Sequence, residues 1–290
     1  MRTESLGFIG VGIMGEGMVS KILETGRKVF ITKHSNSEPI ERLKIKGATE
    51  LENIDILAKR CELVILCLPN STVVKKIIEK LSYNLATDSL IIDCTTNNFK
   101  SVIELESLTK NKNLRYVEAP LTGGRDQAVA GKLGAMIGGS YKNYKITKKI
   151  LNPCCERVER IGKVGMGAKA KLISNFLALG TASLTIESLR AAREMGVDWK
   201  KFYHLSSLGA GSSKALDRIA QKAIKDDYDS YAFTIDNTIK DFLYMLELFE
   251  RDERISKIIK PILDNYKKNK VSSSGKSFIS KILSNNFQEN

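Results

Sequence analysis

Leu6-Gly7-Phe8-Ile9-Gly10-Val11-Gly12-Ile13-Met14-Gly15 opens the chain with a short apolar run that ends in glycines spaced GxGxxG. The run reads as a strand, and Ile13 to Glu24 carries helical periodicity that stops at Gly26. A GxGxxG between a strand and a helix has a physical use. Gly10 makes the tight turn, Gly12 lets backbone approach a pyrophosphate, and Gly15 lets helix pack on strand. The pyrophosphate would rest on the helix N-terminus, where unpaired N–H groups and the helix dipole favour anions. Gly10, Gly12, Ile13, Met14 and Gly15 are therefore candidate dinucleotide-binding residues.

Outward from this motif, strand and helix signals alternate. Lys28 to Thr32, Glu62 to Leu68 (ended by Pro69-Asn70-Ser71) and Ser89 to Asp93 are β-rich runs. Continuous apolar strands separated by helices predict a parallel sheet covered on both faces, the doubly wound α/β architecture. In NAD-binding versions of such a unit, a carboxylate about 20 residues past the glycines takes the ribose 2′-hydroxyl. Here the second strand ends in Lys33-His34-Ser35-Asn36, with no carboxylate before Glu38. A cationic, hydroxyl-rich turn suits a 2′-phosphate, so NADP is expected ahead of NAD, with Lys33, His34 and Ser35 as its readers. The plainer alternative is that Lys33 is only exposed.

After Gly162, Gly165 and Gly167 the pattern changes. Ala168 to Glu194 contains no Pro and one Gly, and its apolar residues (Leu172, Ile173, Phe176, Leu177, Leu179, Leu184, Ile186, Leu189) go nearly all the way round, which predicts a long buried helix. Gly196 is a C-terminal cap candidate, Asp198 an N-cap candidate, and Ile235 to Phe249 has amphipathic spacing. The expected organisation is a dinucleotide-binding Rossmann domain over 1–162 and an all-helical domain over 163–290 for substrate and oligomerisation.

Composition excludes several classes. The 290 residues are 42% hydrophobic and 27% charged, near globular averages, which rules out a disordered or collagenous chain. The 46 Lys+Arg against 33 Asp+Glu give a net charge of +13. The lysines are scattered through every predicted helix, so the surplus reads as a solvated surface and no nucleic-acid partner is expected. No run of roughly 18 uninterrupted apolar residues predicts a membrane span. Arg2 with the following apolar stretch loosely imitates a leader, but Glu4 and the glycines argue against it. Cys61, Cys67, Cys94, Cys154 and Cys155 form no CxxC pair and read as reduced, small hydrophobes in a cytoplasmic protein. His34 and His204 have no carboxylate or cysteine at ligand spacing, so no metal and no Ser-His-Asp mechanism is expected. Gly275-Lys276-Ser277 imitates the end of a P-loop, but Lys270 stands where its first glycine should be.

Gly7 to Met18 resembles the GxIGLGxMGxxM opening of the β-hydroxyacid dehydrogenases, the family of 3-hydroxyisobutyrate dehydrogenase, tartronate semialdehyde reductase and the glyoxylate or succinic semialdehyde reductases. Further blocks match in order along nearly the whole chain: Leu68-Pro69-Asn70, Glu118-Ala119-Pro120-Leu121-Thr122-Gly123-Gly124 with Gly131 and Gly138-Gly139, Gly165-Met166-Gly167 to Lys171 and Asn175, and Lys240-Asp241-Phe242. The resemblance implies hydride transfer between NADP(H) or NAD(H) and a small hydroxyacid or semialdehyde. It implies Lys171 as general acid/base, Asn175 and the Thr122 loop as substrate holders, Leu68 and Pro69 along the cofactor, and Thr96 and Lys240 near its nicotinamide end. Departures from the family pattern leave the substrate open: Thr122 for Ser, Ser174 for Asn, Phe99 for Pro, and Ser272 to Gly275 without the usual acidic residues.

The residues have a reading of their own. Thr122-Gly123-Gly124 offers a hydroxyl and unhindered backbone N–H groups in one loop, a nest suited to a carboxylate, although an ordinary turn is the plainer reading. Arg125, just after it, is a further candidate for substrate contact. Lys171 and Asn175 stand at i and i+4, on one helix face. A lone helical lysine is usually solvated, but this helix is apolar there, and desolvation lowers an ammonium pKa toward acid/base use. The expected site is the cleft between the domains, and the excess apolar surface of the long helix predicts a homodimer or homotetramer. The competing readings are an imine reductase, which usually has another residue at the Lys171 position, and a dinucleotide-binding sensor, which needs none of Lys171, Asn175 or the Thr122 loop.

Overall fold

The computed structural model describes residues 5–32, 36–271 and 274–284. The chain divides into two compact units, 1–171 and 172–290. The first unit alternates as its apolar runs require: β1 (Ser5–Ile9), α1 (Ile13–Leu23), β2 (Lys28–Thr32), α2 (Glu38–Ile45), β3 (Thr49–Leu51), α3 (Ile54–Arg60), β4 (Leu63–Leu66), α4 (Ser71–Leu81), β5 (Leu90–Asp93), α5 (Phe99–Asn111) and β6 (Arg115–Glu118). It then adds β7 (Leu121–Thr122), α6 (Arg125–Ala130), β8 (Leu133–Gly138), α7 (Tyr141–Leu151) and β9 (Cys155–Gly162).

The sheet runs β3-β2-β1-β4-β5-β6 with every pair parallel, the order of a doubly wound dinucleotide-binding fold. β8 pairs antiparallel with β6 and β7 on one edge and parallel with β9 on the other. Alternate residues of each strand serve the two faces. Leu6, Phe8, Ile65 and Ile92 lie in one core, and Ile9, Val64, Leu66 and Ile91 in the other. Chain order reverses between β1 and β4, and the carboxyl ends of strands at such a switch point are where open α/β sheets take their ligands. β4 is shorter than the predicted run, because Leu68 and Pro69 turn away into the loop before α4.

The second unit is helical. α8 (Met166–Glu194) enters it from the first unit and is followed by α9 (Trp199–Ser206), α10 (Lys214–Ala223), α11 (Ile235–Leu248), α12 (Glu253–Val271) and a 3-10 turn at Ile279–Leu283. Gly196 has φ +71°, and the Asp198 side chain accepts the Lys201 N–H to cap α9. Leu172, Leu179, Ala182, Ile186 and Leu189 form one stripe of α8 and join Phe242, Met245, Ile259 and Leu263 in a single core.

One expectation about α8 needs correction. The helix is not buried all round within this chain: Ile173, Leu177 and Leu184, a second stripe at spacings of four and seven, are 52%, 73% and 68% exposed. The apolar residues that run round the helix fall into two faces, and a single copy of the chain buries only one. By length and composition α8 also reaches the threshold for crossing a membrane, although no uninterrupted apolar run of that length stands in the sequence. A core helix passes the same test, and its buried stripe is the core of the second unit.

Candidate active site

The glycine turn is built from three different constraints. Gly10 holds φ +101°, and a Cβ there would collide with the Cys67 carbonyl. A Cβ on Gly15 would collide with the Gly10 carbonyl oxygen. Gly12, the residue before α1, has an ordinary φ of −70°, and a Cβ on it would meet nothing within 4 Å. Gly10 and Gly15 are therefore glycines for the fold, while Gly12 leaves room beside the first turn of α1, where helix N–H groups have no intrahelical acceptor. Ile13 is exposed and Met14 half-buried beside it. These features fit a dinucleotide pyrophosphate. Lys33, His34 and Ser35 lie outside the described residues, as do Ser272 and Ser273.

The loops after β4 and β5 are fastened together next to this turn. The Leu68 N–H donates to Thr95 Oγ1 at 3.0 Å, and the Asn98 N–H to Ser71 Oγ at 2.9 Å. Asn70 and Asn98 cap α4 and α5 through their side-chain oxygens. Asp93, fully buried at the end of β5, accepts from the Thr95 N–H (3.0 Å), Asn97 Nδ2 (2.7 Å) and the Tyr116 hydroxyl (2.9 Å). Burial pushes its pKa up to about 6, against the pull of those donors. The turn that carries half-buried Thr96 is thus set by a buried carboxylate. Phe99, in place of the family's proline, packs against Gly165, and Lys169 Nζ stands 4.3 Å from its ring centre.

The Thr122 loop differs in one respect from the nest expected. Gly123 takes φ +113°, but the Gly124 N–H donates to Gln127 Oε1 at 2.9 Å, which caps α6 internally. That donor is spent on the helix, so the half-buried Thr122 hydroxyl is the more prominent polar group of the loop. The loop is placed by contact of α6 with α1, where a Cβ on Gly17 would come within 2.8 Å of Ala128. Arg125 is exposed at the first turn of α6, and its charge helps Arg42 to lower the pKa of Glu16.

Glu118, at the end of β6, is almost wholly buried and accepts the N–H groups of Gly167 (2.8 Å) and Ala168 (2.9 Å). These belong to the first turn of α8, whose next turn presents Lys171. Lys171 and Asn175 are 8% and 5% exposed, so the polar pair expected on an apolar helix is indeed withdrawn from water. Within the second unit, Asn175 Nδ2 donates to Asp241 Oδ2 at 2.6 Å, and Lys240 Nζ lies 3.2 Å from Asp241 Oδ1. A carboxylate only accepts, so Asp241 orients the amide of Asn175, its NH2 inward and its carbonyl away. Among the described residues, no group of three or more His, Cys, Asp or Glu is placed to hold a metal.

Asp93, Glu118 and Asp241 were not singled out for function in the sequence. Asp93 and Glu118 could have been found as lone carboxylates closing apolar strands. Asp241 stands in the Lys240-Asp241-Phe242 block, but its partner lies 66 positions away and only the fold brings the two together.

Comparison with known proteins identifies the family. Residues 5–162 match the NAD-binding domain of 6-phosphogluconate dehydrogenase, and residues 165–255 match the NAD-binding domain of NADP-dependent 3-hydroxyisobutyrate dehydrogenase. Mitochondrial 3-hydroxyisobutyrate dehydrogenase of Drosophila melanogaster is 28% identical over 209 residues, 72% of this chain and 64% of that one. The 3-sulfolactaldehyde reductase of Escherichia coli is 27% identical over 248 residues, 84% of this chain and 83% of that one. The 3-hydroxyisobutyrate dehydrogenase of Mycobacterium tuberculosis, solved with L-serine, superposes with a TM-score of 0.85 at 18% identity, covering 97% of this chain and 98% of that one. With the glycine turn, the parallel sheet order and these matches together, the chain belongs to the β-hydroxyacid dehydrogenases, NAD(P)-dependent oxidoreductases of the 3-hydroxyisobutyrate dehydrogenase type.

Proposed function

We propose that the chain interconverts a small 3-hydroxyacid and its semialdehyde with Lys171 as general acid/base. The observation that carries this reading is the buried Lys171–Asn175 pair, one turn apart on α8. A bound nicotinamide dinucleotide supplies the hydride in reduction and accepts it in oxidation. In reduction, Lys171 Nζ gives its proton to the oxygen of the forming alcohol; in oxidation the neutral amine takes the hydroxyl proton. Asn175 turns its carbonyl away from Asp241 and offers an acceptor to a hydroxyl or ammonium hydrogen. Thr122, Gly123 and Gly124 hold the substrate, and Arg125 adds a cation to the rim of that loop, suited to a carboxylate. Leu68, Pro69 and Thr96 stand on the fastened loops beside the glycine turn, and with Lys240 they serve the cofactor.

NADPH is the proposed preference, because Lys33, His34 and Ser35 stand where a 2′-hydroxyl reader would place a carboxylate. A homodimer or homotetramer is proposed from the exposed stripe of α8, and the cytoplasm from five cysteines of which none is paired. The test is a spectrophotometric screen of small semialdehydes and 3-hydroxyacids with both cofactors. Turnover of at least one acidic semialdehyde or hydroxyacid supports the proposal. Turnover of cyclic imines with none of these acids would overturn it in favour of an imine reductase.

A further inference from the structure

We propose that Glu118 is a positioning residue for the reaction: its carboxylate, by accepting the first N–H groups of α8, fixes the helix turn that presents Lys171. This rests on the assignment of Lys171 as the acid/base. An α-helix rises 1.5 Å per residue and makes a turn in 3.6, so Lys171 lies one turn from the capped Gly167 and Ala168. The capping oxygens come from 49 and 50 positions earlier in the chain, from the end of a central strand. The contact also has no slack. A Cβ on Gly138, which is in register with Glu118, would collide with the carboxylate, and one on Gly167 would reach within 2.5 Å of the Met136 carbonyl oxygen. Strand end, carboxylate and helix turn thus touch without a spacer, so the helix cannot shift along its axis while Glu118 holds it. This accounts for Gly138 and Gly167, which the sequence leaves without a role.

A cap meant only to stabilise a helix is served by a neighbouring Ser, Thr, Asn or Asp at the surface. Glu118 is a costlier choice. Burial raises its pKa from 4.5 to about 7, with the like charge of Asp93 as a smaller contribution, although the N–H groups of Ala168, Gly167 and Gly165 pull it down. The groups that face it are Asp93, in register on β5, and the Tyr116 hydroxyl bound to Asp93. The cations of the neighbouring elements have other contacts: Arg160 of β9 donates through Nε to the Gly139 carbonyl at 2.9 Å, and Lys169 of α8 stands over the Phe99 ring. A carboxyl whose folded pKa is raised binds more protons folded than unfolded. Its contribution to stability is therefore greatest below pH 4.5 and is lost as pH rises through about 7. The ionised carboxylate is the form that accepts both N–H groups. Activity should accordingly rise through about pH 7, in the same range where stability falls.

The experiment is a double-mutant cycle on the full-length enzyme, with kcat, its pH profile, dinucleotide Kd and Tm measured for Glu118→Gln, Lys171→Ala and the pair. Glu118→Gln is expected to lower kcat about 10-fold or more with dinucleotide Kd unchanged, and to remove the acidic limb of the profile. Its Tm relative to wild type should rise between pH 5 and pH 8. In the Lys171→Ala background the same change should leave kcat where it was, because Glu118 acts through Lys171. Wild-type kcat in Glu118→Gln, or an equal fold loss in both backgrounds, would overturn the proposal. A fully active Lys171→Ala would instead overturn the assignment beneath it. Should Glu118→Gln fail to fold, Glu118→Asp keeps the charge one methylene short, and unchanged kcat in that variant would overturn the proposal equally.

Discussion

Gly10, Gly12 and Gly15 divide between holding the fold and admitting a ligand, and alanine separates the two uses. Gly12→Ala puts its methyl into open space at an ordinary φ, so it should cost only about 1 kcal/mol through a poorer N-cap. That methyl stands where the pyrophosphate would approach, so dinucleotide Kd should rise at least about 10-fold, or about 1.4 kcal/mol. Gly10→Ala forces φ +101° on a residue with a Cβ against the Cys67 carbonyl, and Tm should fall whether or not ligand is present. Calorimetric titration and thermal melts on the two variants check this. Lys33→Glu should shrink or invert the proposed NADPH preference, because each charge-assisted contact is worth about 1.5–3 kcal/mol and the new carboxylate repels a 2′-phosphate. Comparison of kcat/KM for the two cofactors reads it, and an unmoved ratio makes Lys33 a plain surface residue. The glycine turn was legible because its requirements are local: tight turn, open face and close packing each fall within six residues. Glu118 was not, because its meaning depends on β8 and α8, which only the folded sheet brings to it.

At the scale of elements, β1, α1, β2 and the long helix were readable from apolar periodicity and caps, and the parallel order followed from strands apolar on both faces. What periodicity could not supply was which stripe of α8 is covered, since a girdle of leucines reads alike whatever packs on it. Nor could it join α8 to α11. That join is made by Asp241, which binds the Asn175 amide and pairs with Lys240. Asp241→Ala should remove the carboxylate that both residues contact. Because the site is buried, the cost should be about 1–3 kcal/mol in a denaturant titration, with kcat reduced as the amide turns. A variant with wild-type stability and turnover would show that the orientation of Asn175 does not depend on this carboxylate.

For the whole molecule, two outcomes depend on the account. The exposed stripe of Ile173, Leu177 and Leu184 should be covered by a second copy, so light scattering should give a multiple of the 32.3 kDa chain mass. Leu177→Glu with Leu184→Glu should shift it toward a monomer; a wild-type mass of one chain would remove the assembly. The central claim is that this dinucleotide-binding fold carries proton transfer on Lys171. It is tested most directly by kcat of Lys171→Ala on the substrate found in the screen, with dinucleotide Kd measured beside it. A fall of roughly 100-fold to 10,000-fold in kcat at nearly unchanged Kd is the expected result. Retention of more than about half the wild-type turnover would contradict it, since a general acid/base contributes far more than a factor of two.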